Sequence, residues 1–200
     1  MSNAFQVVKD FESAIANYAG SKYAVSVDSC SNAIFLACSY CKIHGQTIAI
    51  PKRTYPSIPC AIIHAGGKVV FEDNDWVGIY QLKPLPIIDG AKRFRKNMYV
   101  QDTFHCLSFH AKKHLPIGRG GMILTNDKSA YETFKLMRFD GREECPLSEQ
   151  KEFNILGWNF YLTPEQAARG LWLFGSIKDY NEDLTEIPPY PDLSLHKAFK

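Results

Sequence analysis

Two short apolar runs, residues 104–109 and 122–125, flank a basic, glycine-rich loop, and no other stretch constrains the fold as tightly. Runs of this length bounded by turn residues suit two strands joined by a loop. The loop carries Lys112, Lys113, His114 and Arg119 within a few positions. A lysine placed between two strands, beside a serine and several glycines, has two readings. It belongs to an exposed basic hairpin, or it is an amine that condenses with an aldehyde to a Schiff base. The second reading needs an apolar surround that depresses the lysine pKa and frees the amine.

A chain of 200 residues can bury one core and form one domain. Its apolar content of 46% and ordinary charge describe a globular chain, not a disordered one. A net charge of +2 gives no footprint for nucleic acid. Cys38 and Cys41 have a CxxC count but fall inside an apolar helical pattern, which makes them core residues rather than ligands. His105 and His110, five apart along a strand, face opposite sides and do not form a metal pair. The N-terminus lacks a signal-type apolar core, and no apolar run reaches membrane-spanning length. A cytoplasmic chain with reduced thiols and no membrane partner is expected.

Along the chain, Phe5, Val8, Phe11, Ile15 and Tyr18 have helical spacing, with Gly20 as C-cap. Residues 23–27 read as a strand, followed by Asp28, Ser29 and Ser31 opening an apolar helix to about residue 43. A strand that runs into small residues at a helix N-terminus can hold an anion, or Ser29 is an ordinary N-cap. Strands at 47–50, 68–71 and 86–88 and a helix at 57–65 follow, with Asp89 at the carboxyl end of its strand. Ligands of open α/β sheets collect at such ends, although an aspartate there is also an ordinary turn residue. Residues 128–138 read as a helix closed by Gly141, residues 139–154 as a mobile polar loop, and 163–174 as a helix entered through Thr163-Pro164-Glu165. The expected division is an α/β domain over 1–175 and a short Pro-rich, extended tail over 176–200.

Residues 108–127, SFHAKKHLPIGRGGMILTND, resemble the lysine loop of the DegT/StrS-type sugar aminotransferases, fold-type I enzymes that use pyridoxal 5'-phosphate. In that pattern the Schiff-base lysine stands sixth, which is Lys113, and Lys112 is spare. Residues 22–37, KYAVSVDSCSNAIFLA, resemble the family's phosphate cup, where Ser29-Cys30-Ser31 stands for a Ser-Gly-Thr triplet. The resemblance implies that Ser31, Ser108 and the partner-facing Asn159 hold the phosphate. It implies that Tyr55 stacks on the pyridine ring and that Asp89 pairs with the ring nitrogen. It implies that Lys113 carries the cofactor as an internal aldimine and moves the proton. Lys92 stands where the family has a Gln or His packed on the cofactor, so it is expected beside the cofactor too, either favouring a neutral catalytic lysine or contacting the phenolate oxygen; Tyr161 stands where the family has an arginine.

The fold implied is a three-layer α/β/α domain with a mostly parallel sheet, the large domain of a PLP-dependent transferase, with its small C-terminal domain absent or vestigial. Between residues 75 and 86 there is room for one extended segment, where the family has a helix and a central strand. A parallel crossover needs about a dozen residues or more, so one strand is expected to be missing or reordered. The function implied is transamination of a keto-sugar, nucleotide-linked, with an amino acid donor, in a homodimer with a shared site. The alternatives are a binding or regulatory protein that keeps the fold without turnover, and a PLP-dependent sugar dehydratase.

Overall fold

The computed structural model describes residues 4–186 and 189–199. In order, the elements are α1 (Gln6–Ala19), β1 (Tyr23–Val27), α2 (Cys30–Tyr40), β2 (Thr47–Pro51), α3 (Ser57–His64), β3 (Lys68–Glu72), β4 (Tyr80–Leu82), β5 (Ile87–Asp89), β6 (Phe104–Ser108), β7 (Gly121–Thr125), α4 (Lys128–Met137) and α5 (Pro164–Phe174). Five strands form one sheet in the order β1-β7-β6-β5-β4, and β2 and β3 form a parallel pair. Backbone bonds in both directions between Ala49 and Lys83 link that pair to the end of β4.

Alternation along the strands divides the core in two. Val25 and Val27, Phe104 and Cys106, and Ile123 face a cluster that includes Ile34, Ala37, Ile62 and Phe134 of α2, α3 and α4. Ala24, Leu107, Met122 and Leu124 face the other cluster, with Val8, Phe11 and Ile15 of α1 and Ala167 of α5. Helices therefore cover both faces, and the α/β/α layering is as expected. Each fully covered Phe or Ile contributes about 1.5–3 kcal/mol.

The mostly parallel sheet is not observed. In the five-stranded sheet only β5 and β6 run parallel; β1–β7, β7–β6 and β4–β5 are antiparallel. The physical reason is chain length between elements. The stretch before β5 is too short for a crossover, so β4 enters as one arm of a hairpin, with Tyr80 opposite Asp89.

A buried charge cluster ties the layers together. Arg138, 1% exposed at the end of α4, hydrogen-bonds Glu12 of α1, donates to the Ser26 carbonyl of β1 at 2.7 Å, and pairs with Glu144 at 2.7 Å. Among the described residues no helix is long and apolar enough to cross a membrane.

Candidate active site

The carboxyl end of β5, the N-terminus of α2 and the loop between β6 and β7 surround a cavity of about 380 Å³. Ser31, Tyr55, Asp89, Lys92, Ser108 and Lys113 all line it. Asn159 does not. Its side chain is exposed and donates to Asp140 at 3.1 Å. Its neighbours Trp158 and Phe160 line a second cavity, which shares Ser31 and Ser57 with the first.

Asp89 forms the floor. It is 3% exposed, and its Oδ1 accepts the Ala91 N–H at 2.9 Å. Burial pushes its carboxyl above the usual carboxylate range. The Ala91 N–H, the Tyr80 hydroxyl and the charges of Lys113 and Lys92 pull it part of the way back. Among the described residues no cation is within ion-pair distance of it. A buried carboxylate without a contacting cation is costly unless something positive arrives. Tyr80 is held in turn by Thr54, hydroxyl to hydroxyl at 2.6 Å.

The cup is built where two helices begin. Ser29 caps α2, its Oγ accepting the Asn32 N–H at 3.2 Å, and first-turn amides are left for a ligand. Ser31 Oγ donates to Ser57 Oγ of α3 at 2.6 Å, so two positive helix ends converge on one spot. Strand β7 presses against this turn. A Cβ on Gly121 would lie 2.4 Å from the Ser29 carbonyl carbon and from the Cys30 nitrogen, so only glycine permits the approach. Asp28 fixes the turn by accepting from Asn32 Nδ2 at 2.6 Å and from Arg119 at 2.8 Å. Cys30, which stands in the place of the triplet's glycine, is buried, and its thiol feels Asp89, Lys113 and Cys106. Burial is the main cause that raises its pKa.

The lysine loop leaves β6 and closes on itself. Phe109 N–H bonds Gly120 O at 2.9 Å, and Ala111 N–H bonds Gly118 O at 3.1 Å. Lys113 is half-buried; its backbone N–H bonds His110 O at 2.8 Å, and its side-chain amine has no hydrogen-bond or ion-pair partner among the described residues. Tyr55 is 57% exposed beside it in the same cavity. Tyr161, where an arginine was expected, packs edge-on against Phe5 and Phe139.

Several lining residues escaped the sequence reading. Ser57 stands at a helix start, which is a signal that could have been used. Trp76, Glu186 and Tyr190 had none. The C-terminal segment folds back over the cavity. Arg93 and Asp183 form a two-point ion pair, Leu184 N–H bonds Lys92 O at 2.9 Å, and Leu193 N–H bonds Lys52 O at 2.9 Å. Between these anchors Tyr190 hydrogen-bonds Glu186 at 2.6 Å and meets Tyr55 edge-on at 6.2 Å.

A cavity with paired helix N-termini at one end, a cation-seeking carboxylate on its floor and an unpaired amine on its wall suits a phosphorylated aldehyde with a basic ring. That is the class of α/β protein this fold and pocket define. The chain belongs to the DegT/DnrJ/EryC1/StrS aminotransferase family, which matches residues 2–87 and 90–192. Pyridoxal 5'-phosphate is the cofactor of that family, and the cavity's donor set is compatible with it: a buried carboxylate, hydroxyls at two helix starts and a lysine amine. Among curated relatives, the chain is 25% identical to GDP-perosamine synthase of Caulobacter vibrioides, over 86% of this chain and 57% of that protein. It is 24% identical to the spore coat polysaccharide biosynthesis protein SpsC of Bacillus subtilis, over 90% and 59%. The chain thus spans less than two thirds of these relatives' length. Among solved structures, Helicobacter pylori PseC, an aminotransferase involved in the biosynthesis of pseudoaminic acid, aligns with a TM-score of 0.72 at 19% identity, over 85% of this chain and 57% of that one. The 3-amino-5-hydroxybenzoic acid synthase structure aligns at 0.71 and 20%, over 84% and 55%. These likenesses establish the shared fold.

Proposed function

We propose that this chain holds pyridoxal phosphate and transfers an amino group from an amino acid donor to a keto-sugar, nucleotide-linked like the GDP-sugar for which GDP-perosamine synthase is named. The observation that carries the reading is the presence, in one cavity, of a buried carboxylate with no cation in ion-pair contact and a lysine amine with no hydrogen-bond or ion-pair partner, among the described residues. When bound, the cofactor supplies an electron-accepting ring on which an amino group can be passed between substrates.

Lys113 would hold the cofactor's aldehyde end, and its Nζ, when free, would take up and return a proton. Asp89 would pair with the ring nitrogen and favour its protonated form. Ser31, Ser57 and Ser108, with the first amides of α2, hold the phosphate. Tyr55 covers one ring face. Asn159 lies outside its own chain's cavity, and we assign it to the phosphate of a second protomer in a homodimer. The unit that ends at residue 175 acts as the cofactor holder, and of the tail, residues 183–186 and 189–193 lie along the cavity's mouth.

Titration with pyridoxal phosphate, followed by absorbance, tests this. Wild-type protein should develop the band of a lysine-bound cofactor, and Lys113→Ala should not. An identical spectrum in both would end the reading. A second reading, binding without turnover, is favoured by Tyr190 lying against Tyr55 and Lys92. Adding glutamate decides between them: conversion to the pyridoxamine form supports transfer, and a spectrum that never changes supports binding alone.

A further inference from the structure

Three lysines, Lys92, Lys112 and Lys113, line one cavity that suits an aldehyde. Condensation of an amine with an aldehyde expels one water and requires the nitrogen lone pair, so any of the three could react when deprotonated. Lys92 is the most buried of them, at 9% exposure. Burial shifts its pKa downward and Lys113 adds to the shift; Glu186 and Asp89 oppose it. Left alone, Lys92 would be a competing nucleophile beside Lys113.

It is not left alone. Its Nζ lies 4.6 Å from the centroid of the Trp76 ring and 4.5 Å from that of Tyr190. An aromatic face attracts the ammonium form and offers nothing to the neutral amine. The cage is a built feature. Trp76 Nε1 donates to Arg53 O at 2.9 Å, and its ring packs on Tyr80. Tyr190 is fixed by Glu186 and, on either side of it in the chain, by the anchors at Leu184 and Leu193.

We infer that Trp76 and Tyr190 cage Lys92 as an ammonium, so that Lys113 alone among the cavity's inner lysines takes an aldehyde. Tyr190 is then a positioning residue supplied by the C-terminal segment, and it acts through Lys92. The part of this inference that concerns the cofactor rests on the reading proposed above. The cage itself does not.

Two aldehydes separate the two parts. Formaldehyde with cyanoborohydride alkylates accessible amines: water leaves on condensation, hydride adds to carbon and nitrogen keeps a stable alkyl group. Mapped by peptide mass, Lys92 in wild-type protein should react about tenfold more slowly than Lys112, the factor a desolvated cation–π contact supports. Tyr190→Ala and Trp76→Ala should each remove most of that gap, and Tyr190→Phe, which keeps the ring, should not. Circular dichroism checks that each variant is folded. Pyridoxal phosphate with borohydride should leave its adduct on Lys113 in wild type and divide it between Lys113 and Lys92 in Tyr190→Ala. Equal rates at Lys92 and Lys112 in wild-type protein, a measurement that needs no variant, would overturn the cage. So would folded alanine variants that protect Lys92 as well as wild type does. A slow Lys92 with no cofactor adduct on any lysine would keep the cage and remove both the assignment to Lys113 and the proposed function.

Discussion

Asp89 shows how a functional residue is recognised by what it costs. Its raised pKa means that ionisation is less favourable in the folded chain than in the unfolded one, so the charge works against stability at neutral pH. Asp89→Asn should therefore raise the melting temperature of the cofactor-free protein. The same change removes a charged partner for the ring nitrogen and should weaken pyridoxal phosphate binding by about tenfold to a hundredfold, the worth of a charge-assisted hydrogen bond. Opposite signs in calorimetry and titration are the expected result; a fall in both would make Asp89 a structural residue. His105 gives a second test at this scale. Val100 N–H donates to its Nδ1 at 3.4 Å, and its buried Nε2 has no partner among the described residues. Burial, with Arg93 adding to it, lowers its pKa from 6.5 to about 4. The unfolded chain binds this proton first as pH falls, so the stability that neutral His105 allows is present above about pH 6.5 and lost toward pH 4. The loss should reach about 3 kcal/mol by urea titration and shrink in His105→Gln. Asp89, Lys113, Ser31 and Tyr55 were picked out by the resemblance, and all four line the cavity. Tyr190 was not, because its partner Lys92 lies far away in the chain and the segment that carries it has no periodicity.

At the scale of elements, the phosphate cup depends on how closely β7 approaches the start of α2. Gly121→Ala would drive a methyl group into the Ser29–Cys30 peptide, where the contact is backbone and cannot rotate away. The expected cost is about 1–3 kcal/mol by denaturant unfolding, together with weaker binding of inorganic phosphate. Unchanged phosphate affinity in a folded variant would place the anion elsewhere. Most element boundaries were legible: the cap at Ser29, the left-handed Gly20 after α1 and the Thr163–Gln166 capping box of α5 all carry side-chain or glycine signals. The end of α2 was not. Apolar periodicity runs on to Ile43, but the helix stops at Tyr40, and Lys42 adopts a positive φ of 51°. Ile43 is buried all the same, so hydrophobicity there reports core packing by a turn. The mostly parallel sheet was implied by the resemblance, and the strand patterns could not check it. Period-two patterns specify which face is buried and are silent on whether neighbours run parallel.

For the whole molecule, the open question is where the cavity's second wall lies. Within one chain the C-terminal segment closes one side, whereas Asn159 is exposed between Trp158 and Phe160, which line the second cavity beside Ser31 and Ser57. On the proposed reading, an isologous pair in which each protomer completes the other would bring to the phosphate a polar side chain that its own fold keeps out of the cavity. Complementation tests this without knowledge of the sugar. Lys113→Ala and Asn159→Ala protomers are mixed, allowed to exchange, and supplied with pyridoxal phosphate at a concentration too low to fill Asn159→Ala sites. Each hybrid dimer then has one site with both residues intact and one with neither. Random exchange makes half the dimers hybrid, so about a quarter of all sites should regain the lysine-bound absorbance. An absorbance equal to the mean of the two parent proteins, or a monomer by light scattering, would confine the site to one chain and leave Asn159 as a partner of Asp140 alone.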